Sequence, residues 1–347
     1  MNKNKWTILV IGDRFLRNEL FEKAINEQLA DLQIDVSYKF MENTWPDEPF
    51  YTIEEVHEAV GDVDEIIQRV GDVDIIVTDL APITRRVIES APRLKLIGVT
   101  RGGPVNANVA FAAEKGIPVV NVPGRNATAV AEFTLAMILS HVKKIAECHA
   151  DMKKGIWRGD CYRYERAPME IRGQTAGLVG FGIIGQLVAP ILMSLRMRVI
   201  ASDPYVPSDV FKELKVEMVD LETLLRASDV VSLHARVTEE TTGMIGEKEL
   251  RMMKPSACIV NSGRGPLMDY KALYRALKEG WIAGAVLDTF DVEPIDSSYP
   301  LLELDNLTLT PHIAGSSKET ATNSCKRVAQ EIRRFISNEP LECCISK

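Results

Sequence analysis

Four side chains able to hold an anion and move a proton follow strand-like runs in the second half of this chain. They are Arg264 after ACIVNSG, Asp288 and Glu293 within LDTFDVEP, and His312 within LTLTPHIAG. A histidine titrates near neutral pH and suits a proton shuttle. A carboxylate beside it favours the imidazolium and fixes its orientation. An arginine grips a substrate carboxylate through two parallel hydrogen bonds. The set answers a reaction that moves a proton and a hydride together at a carbon next to a carboxylate. Asp288, Asp291, Glu293 and His312 could in principle ligate a cation, but a cation is unhelpful beside Arg264. No metal is therefore expected, and Asp291 reads as a solvated loop residue.

A second constellation supplies the hydride carrier. TAGLVGFGIIGQLVAPIL contains Gly180-x-Gly182-x-x-Gly185 between a strand pattern and a helical one. The first glycine permits the tight turn, the second lets the backbone approach a pyrophosphate, and the third allows close helix–strand packing. The helix N-terminus then offers free N–H groups and a positive dipole end to the phosphates. Asp203 ends the next strand-like run, RVIASD, at the spacing expected of a residue that accepts hydrogen bonds from the adenosine ribose. A carboxylate there repels a 2′-phosphate, which favours NAD over NADP.

These residues need elements to position them. Short strand patterns at 6–12, 34–40, 73–79, 94–100 and 117–124 alternate with helical spacing such as 18–29. A second series runs TAGLVGFG, MRVIASD, DVVSLHA, ACIVNSG, IAGAVLD and LTLTPHI. Strands alternating with helices imply parallel sheets covered on both faces. The fold class expected is α/β, with two Rossmann-like or flavodoxin-like units. A long helical pattern from Asn126 to Gly155, apolar nearly all round at first, is expected to be buried between domains or subunits. The polar stretch 156–174 reads as an extended arm, and the recurrence of VGDVD at 60–64 and 70–74 as chance.

Bulk properties exclude other classes. The 347 residues suffice for two domains, and a net charge of −8 without a long basic run argues against nucleic acid as a partner. The N-terminus lacks a signal core, and no apolar stretch of roughly 20 residues exists to span a membrane. A cytoplasmic location is expected. Cys148, Cys161, Cys258, Cys325, Cys343 and Cys344 show no CxxC spacing and read as incidental thiols rather than a zinc site.

From about residue 70 onward the chain resembles the D-isomer-specific 2-hydroxyacid dehydrogenase family, which includes phosphoglycerate, glyoxylate/hydroxypyruvate and D-lactate dehydrogenases. The motifs that carry the resemblance are GLVGFGIIG, SLHARVTEETTGMIG, MMKPSACIVNSGRGPLMD, GAVLDTFDVEP and TPHIAGSS, in that order. The resemblance implies that Arg264 binds the substrate's carboxylate and keto oxygen, that Glu293 pairs with His312, and that His312 is the general acid/base. It implies that Asp288 contacts the nicotinamide amide and that the backbone of Ile183 and Ile184 meets the pyrophosphate. His234, Ala235, Arg236, Ser262, Gly263, Ala314 and Gly315 fall on cofactor-lining segments. Residues 1–125 plus 317–347 would form a discontinuous substrate domain and 126–316 an NAD-binding Rossmann domain, with the active site in the cleft between them. A homodimer through the cofactor domain would use the arm at 150–172. The chain ends soon after a return helix at 319–337, so the regulatory extension of some phosphoglycerate dehydrogenases is expected to be absent.

Two departures bear on specificity. Arg236 stands where relatives usually have proline, within reach of a cofactor phosphate or ribose. The loop TRGGPVNAN replaces a Val-Asp-Asn sequence. There Gly102 and Gly103 can present backbone N–H groups to a carboxylate, and Arg101 and Asn106 add polar reach. The expected substrate is a polar 2-hydroxy or 2-keto acid, polyhydroxylated or phosphorylated, rather than lactate. The rival from another class is a non-enzymatic, NADH-sensing corepressor-like binder on the same fold. Formate oxidation is disfavoured because the loop does not offer a small apolar pocket.

Overall fold

The computed structural model describes residues 5–47 and 50–346, in two units: one from the N-terminus to Arg125 with Ser316 to the C-terminus, the other Asn126–Gly315. In the first unit, strands β1 (Lys5–Gly12), β2 (Asp35–Glu42), β5 (Ile75–Thr78), β6 (Leu96–Val99) and β7 (Val119–Val120) form a five-stranded sheet, order β2-β1-β5-β6-β7. All its pairings are parallel. A separate antiparallel hairpin, β3 (Tyr51–Ile53) with β4 (Val56–Ala59), was not legible as strands in the sequence.

The two-residue period of β1 explains the layering. Ile8 and Val10 enter one core with Phe21 and Ile25, while Leu9 and Ile11 enter the other with Ile66 and Val87. The helix Lys318–Ile336 brings the chain back to this unit; a Cβ on Gly98 of β6 would stand 2.7 Å from Val328.

The second unit holds a seven-stranded sheet: β8 (Thr175–Val179), β9 (Arg198–Ser202), β10 (Glu217–Met218), β11 (Val230–Leu233), β12 (Cys258–Asn261), β13 (Gly284–Leu287) and β14 (Leu307–Leu309). The order is β10-β9-β8-β11-β12-β13-β14, again parallel. Strand order reverses beside β8, between β9 and β11. That is the crevice where open α/β sheets bind ligands, at the carboxyl ends of the strands.

Two expectations need correcting. The helical run from Asn126 breaks into Ala127–Val142 and Ile145–Lys153 because Lys144 adopts the left-handed conformation, φ 57°. The buried face of the first piece packs on the second unit's own core through Ala131, Met137 and Ile138. The stretch after Gly155 is not fully extended either: it folds back in a short helical turn, Gly159–Tyr162. Among the described residues no helix is long and apolar enough to cross a membrane.

Candidate active site

The glycine loop is built as its spacing requires. Gly180 turns the chain after β8 at φ 92°, and a Cβ there would stand 2.5 Å from the Ala235 nitrogen. Gly182 is the N-cap of the helix Ile183–Ser194; no side chain caps it, and a Cβ on it would meet nothing within 4 Å. A Cβ on Gly185 would stand 2.6 Å from the Gly180 carbonyl oxygen, so this glycine sets how closely helix and turn pack. Ile183 stays exposed beside first-turn N–H groups that a helix leaves without internal partners. An uncapped helix start under open space fits a pyrophosphate.

Asp203 follows β9 and is half-buried, accepting hydrogen bonds from the Phe181 N–H (2.8 Å) and the Tyr205 N–H (3.0 Å). The Tyr205 hydroxyl donates to Glu240 at 2.6 Å, so two carboxylates flank this edge. Arg236 is exposed on the loop after β11, its carbonyl accepting from the Thr241 hydroxyl. His234 donates its backbone N–H to Val179 (2.7 Å), and its Nε2 lies 2.9 Å from the Ser232 hydroxyl. Burial pushes this imidazole down to about 4, so it is neutral near pH 7; its Nδ1 has no partner among the described residues.

The other constellation follows three neighbouring strands. Asn261, Leu287 and Leu309 pair in one row across β12, β13 and β14, so the segments beyond them leave the sheet side by side. His312 sits at φ 53°, and its Nδ1 lies 2.6 Å from Glu293 Oε2. The other Glu293 oxygen accepts the Phe290 N–H at 2.8 Å. An ionised carboxylate only accepts, so Nδ1 carries the proton of that bond and Nε2 is left for other chemistry. Arg264 is exposed; its Nη1 donates to the Gly263 carbonyl at 2.9 Å, and no carboxylate pairs with it among the described residues. Asp291 accepts from the Tyr299 hydroxyl at the loop surface.

Asp288, for which a nicotinamide contact was expected, has partners within the chain. It is buried, and both oxygens are engaged within the chain: Oδ1 accepts from the Thr310 hydroxyl (2.6 Å) and the Ile313 N–H (2.9 Å), Oδ2 from the Ala314 N–H (2.8 Å). Its observed work is to brace the segment that carries His312. Ser262 is buried against the Thr134 hydroxyl at 2.7 Å, and Gly263 donates its N–H to Asn261 Oδ1. Gly315 packs on Asn126, whose Nδ2 would lie 2.4 Å from a Cβ there, so the two ends of this unit touch.

Sequence reasoning missed several residues that position this set. Buried Asn261 donates to the Arg264 carbonyl (3.0 Å), and the Tyr270 hydroxyl donates to the Thr289 carbonyl (2.6 Å). Gly265 lets the Arg264 loop approach the Phe290 backbone. Asn261 and Gly265 stand inside the NSGRG motif, where the signal was available; Thr310 and Tyr270 carried none.

In the first unit the substrate-loop expectation is partly overturned. Asn106 is fully buried and donates to the carbonyls of Asp79 (3.1 Å) and Ala81 (2.9 Å), so it clamps backbone and has no outward reach. Arg101 is 14% exposed in its side chain and ion-paired with Glu58, whose carbonyl it also meets at 3.2 Å. Gly102 and Gly103 are exposed.

Residues 135–314 match the sequence profile of the D-isomer specific 2-hydroxyacid dehydrogenase, NAD binding domain. The chain is similar to a glyoxylate reductase of Korarchaeum cryptofilum, 42% identical over 258 residues, covering 74% of this chain and 78% of that protein. It is also similar to a D-3-phosphoglycerate dehydrogenase of Methanocaldococcus jannaschii, 40% identical over 261 residues, which are 75% of this chain but 49% of that protein. Among solved structures, an acyclic imino acid reductase in complex with NADPH and D-arginine superposes with a TM-score of 0.75 at 28% identity, over 98% of this chain and 99% of that one.

Proposed function

The chain belongs to the D-isomer-specific 2-hydroxyacid dehydrogenase family, an NAD(P)-dependent oxidoreductase interconverting 2-hydroxy and 2-keto acids, and we propose that it reduces a small polar 2-keto acid with NADH. The observation that carries this reading is the Glu293–His312 pair together with an exposed Arg264 that has no carboxylate partner among the described residues, on three neighbouring strand ends. When bound, the nicotinamide cofactor supplies the hydride. Protonated His312 gives the proton from Nε2 to the C2 oxygen, and takes it back in oxidation. Glu293 holds the ring in the required tautomer and stabilises its charged form. Arg264 grips the substrate carboxylate and polarises the C2 carbonyl. Asp288 holds the His312 segment in place.

Asp203 and Glu240 support the preference for NADH, since both oppose a 2′-phosphate; exposed Arg236 is the counterweight. The buried Asn106 and the paired Arg101 withdraw two side chains from substrate reading. The exposed N–H groups of Gly102 and Gly103 remain, and a small polar acid such as glyoxylate or hydroxypyruvate is favoured over a phosphorylated one. We assign the protomer contact of a homodimer to the arm, where Trp157, Tyr162 and Tyr164 are largely exposed. A monomer in sedimentation at micromolar concentration contradicts that assignment.

The test of the reaction is purified protein with NADH against glyoxylate, hydroxypyruvate, pyruvate, 2-oxoglutarate and sugar-derived 2-keto acids, repeated with NADPH. Preferred turnover of a polar 2-keto acid is expected. A clear preference for pyruvate sinks the substrate reading, and absence of turnover with NADH still bound sinks the catalytic one.

A further inference from the structure

Six cysteines looked incidental in the sequence, yet two of them meet. Cys148 on the helix Ile145–Lys153 and Cys161 in the turn Gly159–Tyr162 place their sulfurs 3.7 Å apart, both half-buried. The contact is held by a separate clamp. Arg158 donates to Glu147 (2.7 Å) and Asp151 (2.6 Å) on the helix and to both oxygens of Asp160 (2.9 and 3.2 Å) in the turn, and Arg166 adds a further bond to Asp160. The guanidinium therefore ties turn to helix on either side of the thiols. Gly155, at φ 78°, makes the reversal that lets the chain come back. Among the described residues this is the one sulfur–sulfur contact between cysteines; Cys258 and Cys325 are buried, and Cys343 and Cys344 are chain neighbours.

We propose that Cys148 and Cys161 form a reversible disulfide in response to a hydroperoxide, making the arm a redox-responsive element. A disulfide has sulfurs about 2.05 Å apart, so the pair, at 3.7 Å, has about 1.7 Å to close. In the first step one thiolate attacks a peroxide oxygen; the O–O bond breaks, water or an alcohol leaves, and the sulfur becomes a sulfenic acid. In the second step the other thiol attacks that sulfur, the S–S bond forms and water leaves. Two electrons and two thiol protons have then passed to the peroxide. Two exchanges with a monothiol such as glutathione restore both thiols. In a reducing compartment such a bond is transient, as expected of a sensor rather than a structural link. The inference does not depend on which acid the enzyme reduces.

The test uses the reduced full-length protein, freed of reductant and treated with a small excess of hydrogen peroxide. The product is alkylated and digested with trypsin without reduction. The expected product is the peptide Ile145–Lys153 joined to Gly159–Arg163, with two of the six thiols lost and both regained with glutathione. Cys148→Ser and Cys161→Ser each leave the remaining partner as a sulfenic acid trappable by dimedone. The proposal is overturned if peroxide leaves both peptides unlinked, if linkage appears only after denaturation, or if both serine variants lose their second thiol as fast as the parent.

Discussion

Gly265 and Phe290 are in backbone contact so close that a Cβ on Gly265 would stand 1.7 Å from the Phe290 carbonyl oxygen. This contact joins the loop carrying Arg264 to the loop carrying Glu293, because the next residue-to-residue bond runs from the Phe290 N–H to Glu293. Gly265→Ala should push the two loops apart. Overpacking of this kind costs about 1–3 kcal/mol. The expected result is a lowered Tm together with a loss of kcat/KM larger than the loss of NADH affinity. Thermal unfolding, NADH titration and steady-state kinetics on one preparation check it; an unchanged kcat/KM removes Gly265 from the positioning set.

His312→Ala should lower kcat by about 100- to 10,000-fold, the usual worth of a positioned acid/base, and leave the NADH Kd within about twofold. Glu293→Gln should lower kcat by less, because the ring keeps a hydrogen-bond partner but loses the charge that stabilises its protonated form. Equal turnover in parent and His312→Ala would falsify the proton-transfer role.

Asp203→Ala should weaken NADH and narrow the NADH/NADPH ratio of kcat/KM by about tenfold or more, the effect of removing roughly 1.4 kcal/mol of discrimination. Because Asp203 also accepts the Phe181 N–H, a small drop in Tm should accompany it. Arg236→Ala should shift the ratio the other way. Two unchanged ratios would place cofactor discrimination elsewhere.

Asp13 should make the protein less stable as the pH rises. Its carboxyl lies buried at the end of β1 and is pushed up to about 7, first by burial and then by the charge of Asp79; the Leu16 and Phe15 N–H groups and Arg125 act in the opposite direction. In the unfolded chain an aspartate titrates near 3.9. Between about pH 4 and about pH 7 the folded state therefore holds the extra proton, and stability falls across that window and levels off above it. Asp13→Asn keeps an oxygen for the Leu16 and Phe15 N–H groups and removes the ionisation. Relative to the parent it should gain up to a few kcal/mol between about pH 5 and about pH 7.5, about 1.36 kcal/mol per pH unit at most. Urea unfolding of both proteins at the two pH values measures this; parallel stabilities refute it.

Much of the frame was legible because it is local. Buried parallel strands read as short apolar runs, and the glycine spacing is set by one turn and one helix start. The NSGRG and LDTFDVEP segments drew attention to Arg264 and Glu293 because strand ends and charged residues coincide there. What was not legible depends on partners far along the chain. Asn106 reads as a polar loop residue until the Asp79 and Ala81 carbonyls, more than twenty residues away, are seen to bury it. Arg101 looks available until Glu58, 43 residues earlier, is seen beside it. Nothing near Asp288 in the sequence announces that the 310–314 segment folds over it. The break at Lys144 carries no glycine or proline to announce it.

The packing of Asn126 against Gly315 makes residues 126–315 a segment whose first and last residues are neighbours. A chain that leaves a host fold and returns to it at one place asks little of the host: the host sees the insertion as a surface loop. The nucleotide-binding half can then be exchanged, or can drift in sequence, while the half built from both chain ends keeps its own sheet and core. Inheritance can therefore act on the two halves separately.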